Sequence, residues 1–517
     1  MGLKIAVTGA TGNMGREVMN FVCALSNVEK VTFLCIQGHR KIGKKLVKAH
    51  KPKAEMLIGD TSNIDSCRAL VKGADYVIHM AAVIPPRSDQ RPELSDAANF
   101  FGTKAMVDAV LEMKPQPKFI HISTMALYGN RNHIHPFGRV GDPLLPSAYD
   151  PYAMSKLEGE RYVLEAGLAK WAVIRQTAML HNRMLTDNLS DGLMFHTCYN
   201  APLEWVTARD SGRLLGNIIA QDSANEVTEF WYNVYNLGGG AKNRITGYEV
   251  FDGGFKIIGG STQKFMKPHW DATRNFHGMW FYDSHVLEDM FHYQKESVDD
   301  YWQEILRNHG YYKIAKIIPA KLISALAIKP LLKNKNAPMY WIKHNDEGRM
   351  TAYFGSKPTD SHISKKWADF HLLCKGQLPD GTAIDYNALL DENNAALLSH
   401  GYDETKADSE LDIDDLRGAA QFRGGELVST KFQKGNLHSK LTWRCQCGHE
   451  FELSAFTVLK AGHWCPECNK RYVWNYDKLA KGNPFYAQVW YDSHEKDEDM
   501  VYWLDENYRA HSKKLKD

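Results

Sequence analysis

The chain has 517 residues, 44% hydrophobic and 24% charged, with a formal net charge of +2. That balance excludes a disordered chain and a polyanion binder driven by bulk charge, and it suits a globular protein of roughly two to four domains. No stretch reaches the ~18 apolar residues of a membrane span, no charged-then-apolar leader opens the chain, and nine cysteines without framework spacing suit a reducing compartment, so the reading is cytoplasmic.

In chain order, Lys4-Ile5-Ala6-Val7 predicts a buried strand and Met14 to Cys23 the first turns of a helix. Gly9, Gly12 and Gly15 then occupy the strand-to-helix turn between them. Glycines there let the backbone approach a ligand and leave the helix N-terminus free for a diphosphate. VTFLCI, AEMLIG, DYVIHMAA, KFIHIS and WAVIRQ continue the strand-like runs, spaced by helical ones. Alternation of this kind predicts an α/β fold with a Rossmann doubly wound parallel sheet over residues 1–180, its ligands beyond the carboxyl ends of the strands.

Residues 181–310 are mixed and dense in aromatics, as in His269 to Tyr293, and are expected to form a smaller substrate lobe with returning Rossmann elements. Residues 311–420 read as a mainly helical extension with an acidic linker. Within it, 311–336 carries six lysines and no acid, expected as a helix pair packed on its own enzyme with solvated lysines, the alternative being a basic amphipathic segment that lies on a membrane or docks on a partner, and 403–417 is the acidic linker or solvated helix. A zinc-binding module is expected over 421–475, and an aromatic-rich docked tail over 476–517.

The chemistry concentrates in DPYAMSKLEGE. Tyr152 and Lys156 stand four apart on a predicted helix start, which places them on one face. An ammonium near a phenol lowers its pKa toward neutrality and makes it a general acid/base. Upstream, Ser123 and Thr124 end a strand where a hydroxyl could hydrogen-bond a substrate oxygen.

These motifs resemble the NAD(P)-dependent epimerase/dehydratase family, the extended short-chain dehydrogenase/reductases, over about the first 310 residues. TGATGNMG is similar to its T-G-x-x-G-x-x-G, Gly59-Asp60 to its adenine-contacting acid, HMAA (His79 to Ala82) to its H-x-A-A, NFFGT to N-x-x-G-T, and VYNLGGG to Y-N-[IVL]-G-[GS]. The resemblance implies a catalytic triad of Thr124, Tyr152 and Lys156. It also implies a dinucleotide held by Gly9, Thr11, Gly12, Asn13, Met14 and Gly15, by Asp60 and Thr61, by Met80, Ala81, Ala82 and Asn99, and by Tyr152 and Lys156. Tyr152 would give or take the proton, Lys156 would lower its pKa and hold the nicotinamide ribose, and Thr124 would orient the reacting oxygen.

Departures from the family bear on substrate. Met125-Ala126 stand where sugar dehydratases carry Asp-Glu, and IRQTAML lacks the asparagine that nucleotide-sugar relatives place after the arginine. Both argue against a nucleotide sugar, and Pro85-Pro86 with the aromatic lobe suit a bulkier, less polar molecule. The second strand ends in IQGHRK without an acid, and Arg40 favours NADP, with NAD possible.

Late in the chain, Cys445-x-Cys447 and Cys465-x-x-Cys468 flank seventeen residues, 448–464, the pattern of a tetrahedral structural zinc site. The short first pair leaves open that His449 replaces Cys447 as a ligand. Zinc is expected to staple a module rather than catalyse. The sequence thus reads as an NAD(P)-dependent oxidoreductase or epimerase acting on a hydroxyl or ketone of a small molecule, as a homo-oligomer and away from membranes. The alternative is a dinucleotide sensor without turnover, whose zinc module binds a partner or nucleic acid.

Overall fold

The computed structural model describes residues 2–184, 191–355, 363–468 and 473–503. Seven strands form its central sheet: β1 Leu3–Thr8, β2 Val28–Cys35, β3 Ala54–Ile58, β4 Tyr76–His79, β5 Lys118–Thr124, β6 Trp171–Gln176 and β7 Asn233–Leu237. Their order is β7-β6-β5-β4-β1-β2-β3, and every neighbouring pair is parallel. These are short runs of β-branched and apolar residues with both faces covered, as a parallel sheet requires. The order turns back between β1 and β4, which opens a crevice at the carboxyl ends of those strands.

Helices α1 Asn13–Ala24, α2 Arg40–Ala49, α3 Ile64–Val71, α4 Gly102–Leu111, α5 Pro151–Glu165 and α6 Ala208–Ser223 flank the sheet. The sequence explains the start of α5. Asp150 caps it by accepting from Ala153 N at 2.9 Å, and Pro151 takes the first helical position, where no N–H is needed. Tyr152 and Lys156 are thereby fixed one turn apart.

Over the sheet lies a smaller lobe built on a three-stranded sheet of Ala178–Leu180, Pro202–Thr207 and Arg244–Thr246. Its helices Gly247–Ile257 and Val298–Asn308 bury Val250, Ile257, Trp302 and Ile305 together. The C-terminal part adds an antiparallel sheet of Glu426–Leu427, Lys440–Arg444 and Glu450–Ser454, then a short helix Ala455–Leu459.

Of the acidic 403–417 stretch, residues 403–410 run as short turns with mostly exposed side chains, and Asp412 then caps a helix at Ile413–Phe422 that buries Leu416, Ala419 and Ala420. The cysteine-bearing region packs directly on the Rossmann layer. Trp443, Phe456, Trp464 and Phe485 share one core with Val107, Phe119, Val163 and Trp171 of the Rossmann layer. Trp171 meets Phe456 edge to face with centroids 5.6 Å apart.

Candidate active site

The glycine turn sits at the carboxyl end of β1. Gly9 has φ +75°, and a Cβ on it would lie 2.9 Å from Ala81 N. A Cβ on Gly15 would lie 2.2 Å from Gly9 O, so α1 can start this close to the turn only without side chains. Gly12 forms the N-cap and has no side chain to occupy the helix end, which leaves first-turn N–H groups directed at the crevice. Thr11 is tied sideways, its Oγ1 2.9 Å from His39 Nδ1 in the loop after β2. Asn13 accepts from Arg16, and Met14 is buried beneath the turn.

The end of β4 is locked against the end of β1. Thr8 Oγ1 accepts from Met80 N at 3.1 Å and from Ala81 N at 3.0 Å. His79 bridges Thr8 and Thr103 through its two ring nitrogens, and burial pushes its imidazole down to about 3, so it is neutral. Asn99, fully buried, accepts from Val83 N at 2.8 Å and thereby shapes the segment after Ala82. Asp60 bonds Ser62 at the end of β3 and Thr61 is buried beside it, while Arg40 is exposed at the start of α2.

Thr124, Tyr152 and Lys156 converge between β5 and α5. The Tyr152 phenol is pushed up to about 12 by burial, against a hydrogen bond with Thr124 that lowers it, and Asp150 adds to the rise. Lys156 is buried, which lowers it to about 8, opposed by Glu160. The i, i+4 pair therefore differs from the sequence expectation of a phenol drawn toward neutrality. Lys156 Nζ donates to Ile122 O at 2.6 Å and lies 3.4 Å from His121 Nε2, so its charge is not spent on the phenol.

Ser123 turns away from this group and donates to Glu160. Glu160, one turn beyond Lys156 on α5, is the hub of a buried network. Arg175 Nη2 reaches it at 2.6 Å and also donates to Ala461 O at 2.7 Å, while Arg175 Nη1 donates to Tyr128 OH at 2.6 Å. His463 completes the network at Glu160 Oε1, and Ser454 is bonded to Glu165 at the end of α5. Burial raises the Glu160 carboxyl, but Arg175 and His463 outweigh it and hold the group well below the usual range. Sequence reasoning assigned no role to Glu160, although its spacing from Lys156 was a signal. His463 gave none, because its partner is distant in the chain.

Beside Asp150 lies a cavity of about 300 Å3. Pro85 and Pro86 bound it on the Rossmann side, and Ala178, Trp205, Phe251 and Phe255 on the lobe side. Its polar edge includes Asp89, raised to about 8 by burial and by the charge of Asp150, and His277, whose Nδ1 is 3.4 Å from Asp150.

Further out, Cys445, His449, Cys465 and Cys468 bring their ligand atoms within 4.8 Å of one another. Cys445 Sγ is 3.6 Å from Cys468 Sγ, and His449 Nδ1 lies 3.5, 3.6 and 3.5 Å from the sulfurs of Cys445, Cys465 and Cys468. A tetrahedron of ligands ~2.3 Å from a zinc ion has edges of roughly 3.7 Å. Cys447 stands outside the group and is exposed. The Cys445–Gly448 turn, closed by Gly448 N to Cys445 O at 2.9 Å, carries the chain past Cys447 and brings His449 round instead.

Residues 5–175 match the model of the NAD dependent epimerase/dehydratase family. The chain is 30% identical over 173 residues to a 3 beta-hydroxysteroid dehydrogenase/Delta 5-->4-isomerase of Mycobacterium tuberculosis, covering 31% of this chain and 42% of that protein. It is 23% identical over 130 residues to D-erythronate dehydrogenase of Haemophilus influenzae, covering 25% and 39%. The chain thus spans about two-fifths of the length of these relatives. A solved structure of the dTDP-glucose 4,6-dehydratase DesIV from Streptomyces venezuelae with NAD bound superposes with a TM-score of 0.48 at 18% identity, over 60% of this chain and 99% of that one. The UDP-Glc/GlcNAc 4-epimerase of Campylobacter jejuni gives a TM-score of 0.45 at 19% identity, over 62% and 100%.

Proposed function

We propose that the chain is an NAD(P)-dependent oxidoreductase or epimerase of the extended short-chain type, acting on a hydroxyl or ketone of a largely apolar small molecule. The observation that carries this reading is the placement of Thr124, at the end of β5, against Tyr152 at the head of α5, with Lys156 one turn on and Asp150 of the same turn lining the apolar cavity.

The residues present fit a dinucleotide. The open first turn of α1 suits a diphosphate, and the crowding at Gly9 and Gly15 leaves backbone alone to meet it. Met80, Ala81, Ala82 and Asn99 would line the adjoining wall, and Asp60 and Thr61 the adenosine end. Without an acid in the loop after β2 and with Arg40 exposed there, NADP is favoured over NAD. When bound, the nicotinamide supplies or accepts the hydride. Tyr152 holds the proton exchanged with the substrate oxygen, and Thr124 aligns its phenol. Lys156, buried beside this group and donating to Ile122 O, would hold the nicotinamide ribose.

Cys445, His449, Cys465 and Cys468 fit a closed, four-ligand zinc site that has structural work only. Cys447 is left out of this ligand set. Titration of the purified protein with NADPH and NADH by fluorescence, with a metal count on the same sample, tests the proposal. Tight NADPH binding with one zinc per chain supports it, whereas binding of neither dinucleotide removes it.

A further inference from the structure

Thirteen large apolar side chains are exposed among the described residues, and four of them, Ile317, Ile318, Leu322 and Leu326, fall within ten residues of one another. Leu322 and Leu326 lie on short helical turns, Ala320–Ile323 and Ser324–Ile328, between Pro319 and Pro330, and Ile317 and Ile318 directly precede Pro319; together they form a strap. Its inner side is held down. Ile328 is buried, Ser324 Oγ donates to Phe265 O at 3.0 Å, and Ala320 and Ile323 pack on the cluster of Phe255 and Phe265. Its outer side is not: Ile318, Leu322 and Leu326 recur every four residues, and Ile317 and Leu326 keep 83% and 70% of their surface in water. The helix pair expected from sequence is therefore packed along one side only.

The charge around this apolar row has a single sign. Lys316, Lys321, Lys329, Lys333 and Lys335 are exposed on or beside the strap, and no acidic residue occurs between Glu304 and Asp346. Exposed apolar side chains interspersed along the chain with exposed lysines match the boundary between acyl chains and anionic headgroups. A nucleic acid would leave the apolar row in water, and an acidic protein surface would offer it no hydrocarbon. Phe255, on which the strap packs, also lines the apolar cavity, as do Ile258 and Tyr312. The strap is thus the outer cover of the cavity wall. No helix among the described residues is long and apolar enough to cross a membrane, so contact would be with one leaflet.

We infer that the strap over residues 316–335 docks the protein on an anionic lipid surface, setting the cavity beside the phase in which an apolar substrate dissolves. The link to substrate rests on the function proposed above, but the docking does not, so the two fail separately. Full-length protein is sedimented with vesicles of phosphatidylcholine alone and with about 30% phosphatidylserine. The expected result is binding to the anionic vesicles that weakens with salt. Binding should fall on the order of tenfold or more in Leu322→Asp/Leu326→Asp and in Lys321→Glu/Lys329→Glu, with thermal melts and NADPH affinity of both variants unchanged. Wild-type protein left in the supernatant, or both variants pelleting like wild type, overturns the inference. So does a concentration-dependent dimer that the leucine variants dissolve, since the row would then belong to a second copy of the chain.

Discussion

His463 Nε2 lies 3.0 Å from Glu160 Oε1, although 303 residues separate them in sequence. Glu160 is one turn from Lys156, and His463 precedes the ligand Cys465 by two residues, so the proposed metal loop is bonded to the proposed catalytic helix. Chelation is therefore expected to lower the midpoint of one cooperative thermal transition for the whole chain and to weaken NADPH binding several-fold. His463→Ala should cost roughly 1–3 kcal/mol by opening a buried, charge-assisted contact. Calorimetry showing two separate transitions, only one of them metal-sensitive, would contradict this coupling.

The ligand set can be read by counting metal. Cys447→Ser is expected to retain one zinc per chain because that thiol stands outside the cluster, whereas His449→Ala should lose the ion or hold it far more weakly. The reverse pattern would return Cys447 to the site.

Tyr152→Phe removes the hydroxyl that bonds Thr124 and leaves the ring in place. With a competent substrate, turnover should fall by about 10²–10⁴ while NADPH affinity stays within a few-fold. Unchanged turnover would take the tyrosine out of the mechanism.

Arg40 bears on the choice between cofactors. Arg40→Glu should weaken NADPH by about tenfold or more and affect NADH little, because an acid there repels a 2′-phosphate and accepts a ribose hydroxyl. Equal loss for both dinucleotides would place Arg40 elsewhere in binding.

Asp89 makes stability pH-dependent with a definite sign. Its carboxyl is raised to about 8 in the folded chain from an ordinary 3.8, so folding retains a proton that the unfolded chain releases. Its contribution is full below pH 3.8 and is lost as pH rises toward 8. Asp89→Asn should melt like wild type near pH 4 and be more stable at pH 8.5. The carboxyl is partly open to the cavity, so the gain is on the order of 1 kcal/mol, roughly 2 °C. Parallel melting curves at both pH values would refute the shift.

The sheet was legible because fully buried parallel strands are written as short apolar runs, and six of the seven stand out that way. The seventh, Asn233–Leu237, lay inside the VYNLGGG motif and was read for its motif alone. The glycine turn and the Tyr152–Lys156 pair were legible because their partners are local. Glu160 needed only one more step of four along the same helix. His463 and Ala461 O could not be found, since nothing near them in sequence refers to α5. In the acidic run Asp412, Asp414 and Asp415 work as helix-start residues, and the buried Leu416, Ala419 and Ala420 behind them are too few to stand out in the sequence.

The shared core also sets an order of assembly. Trp171 and Arg175 end up against Phe456 and Ala461, so one face of the Rossmann layer waits for residues nearly three hundred positions downstream. During synthesis at ~5–20 residues per second, that face stays uncovered for on the order of tens of seconds. Until the last third of the chain has emerged, an aromatic surface lies open to any neighbour. A chain cut short before residue 455 would therefore be expected to meet chaperones or aggregate rather than persist as a free dinucleotide-binding domain.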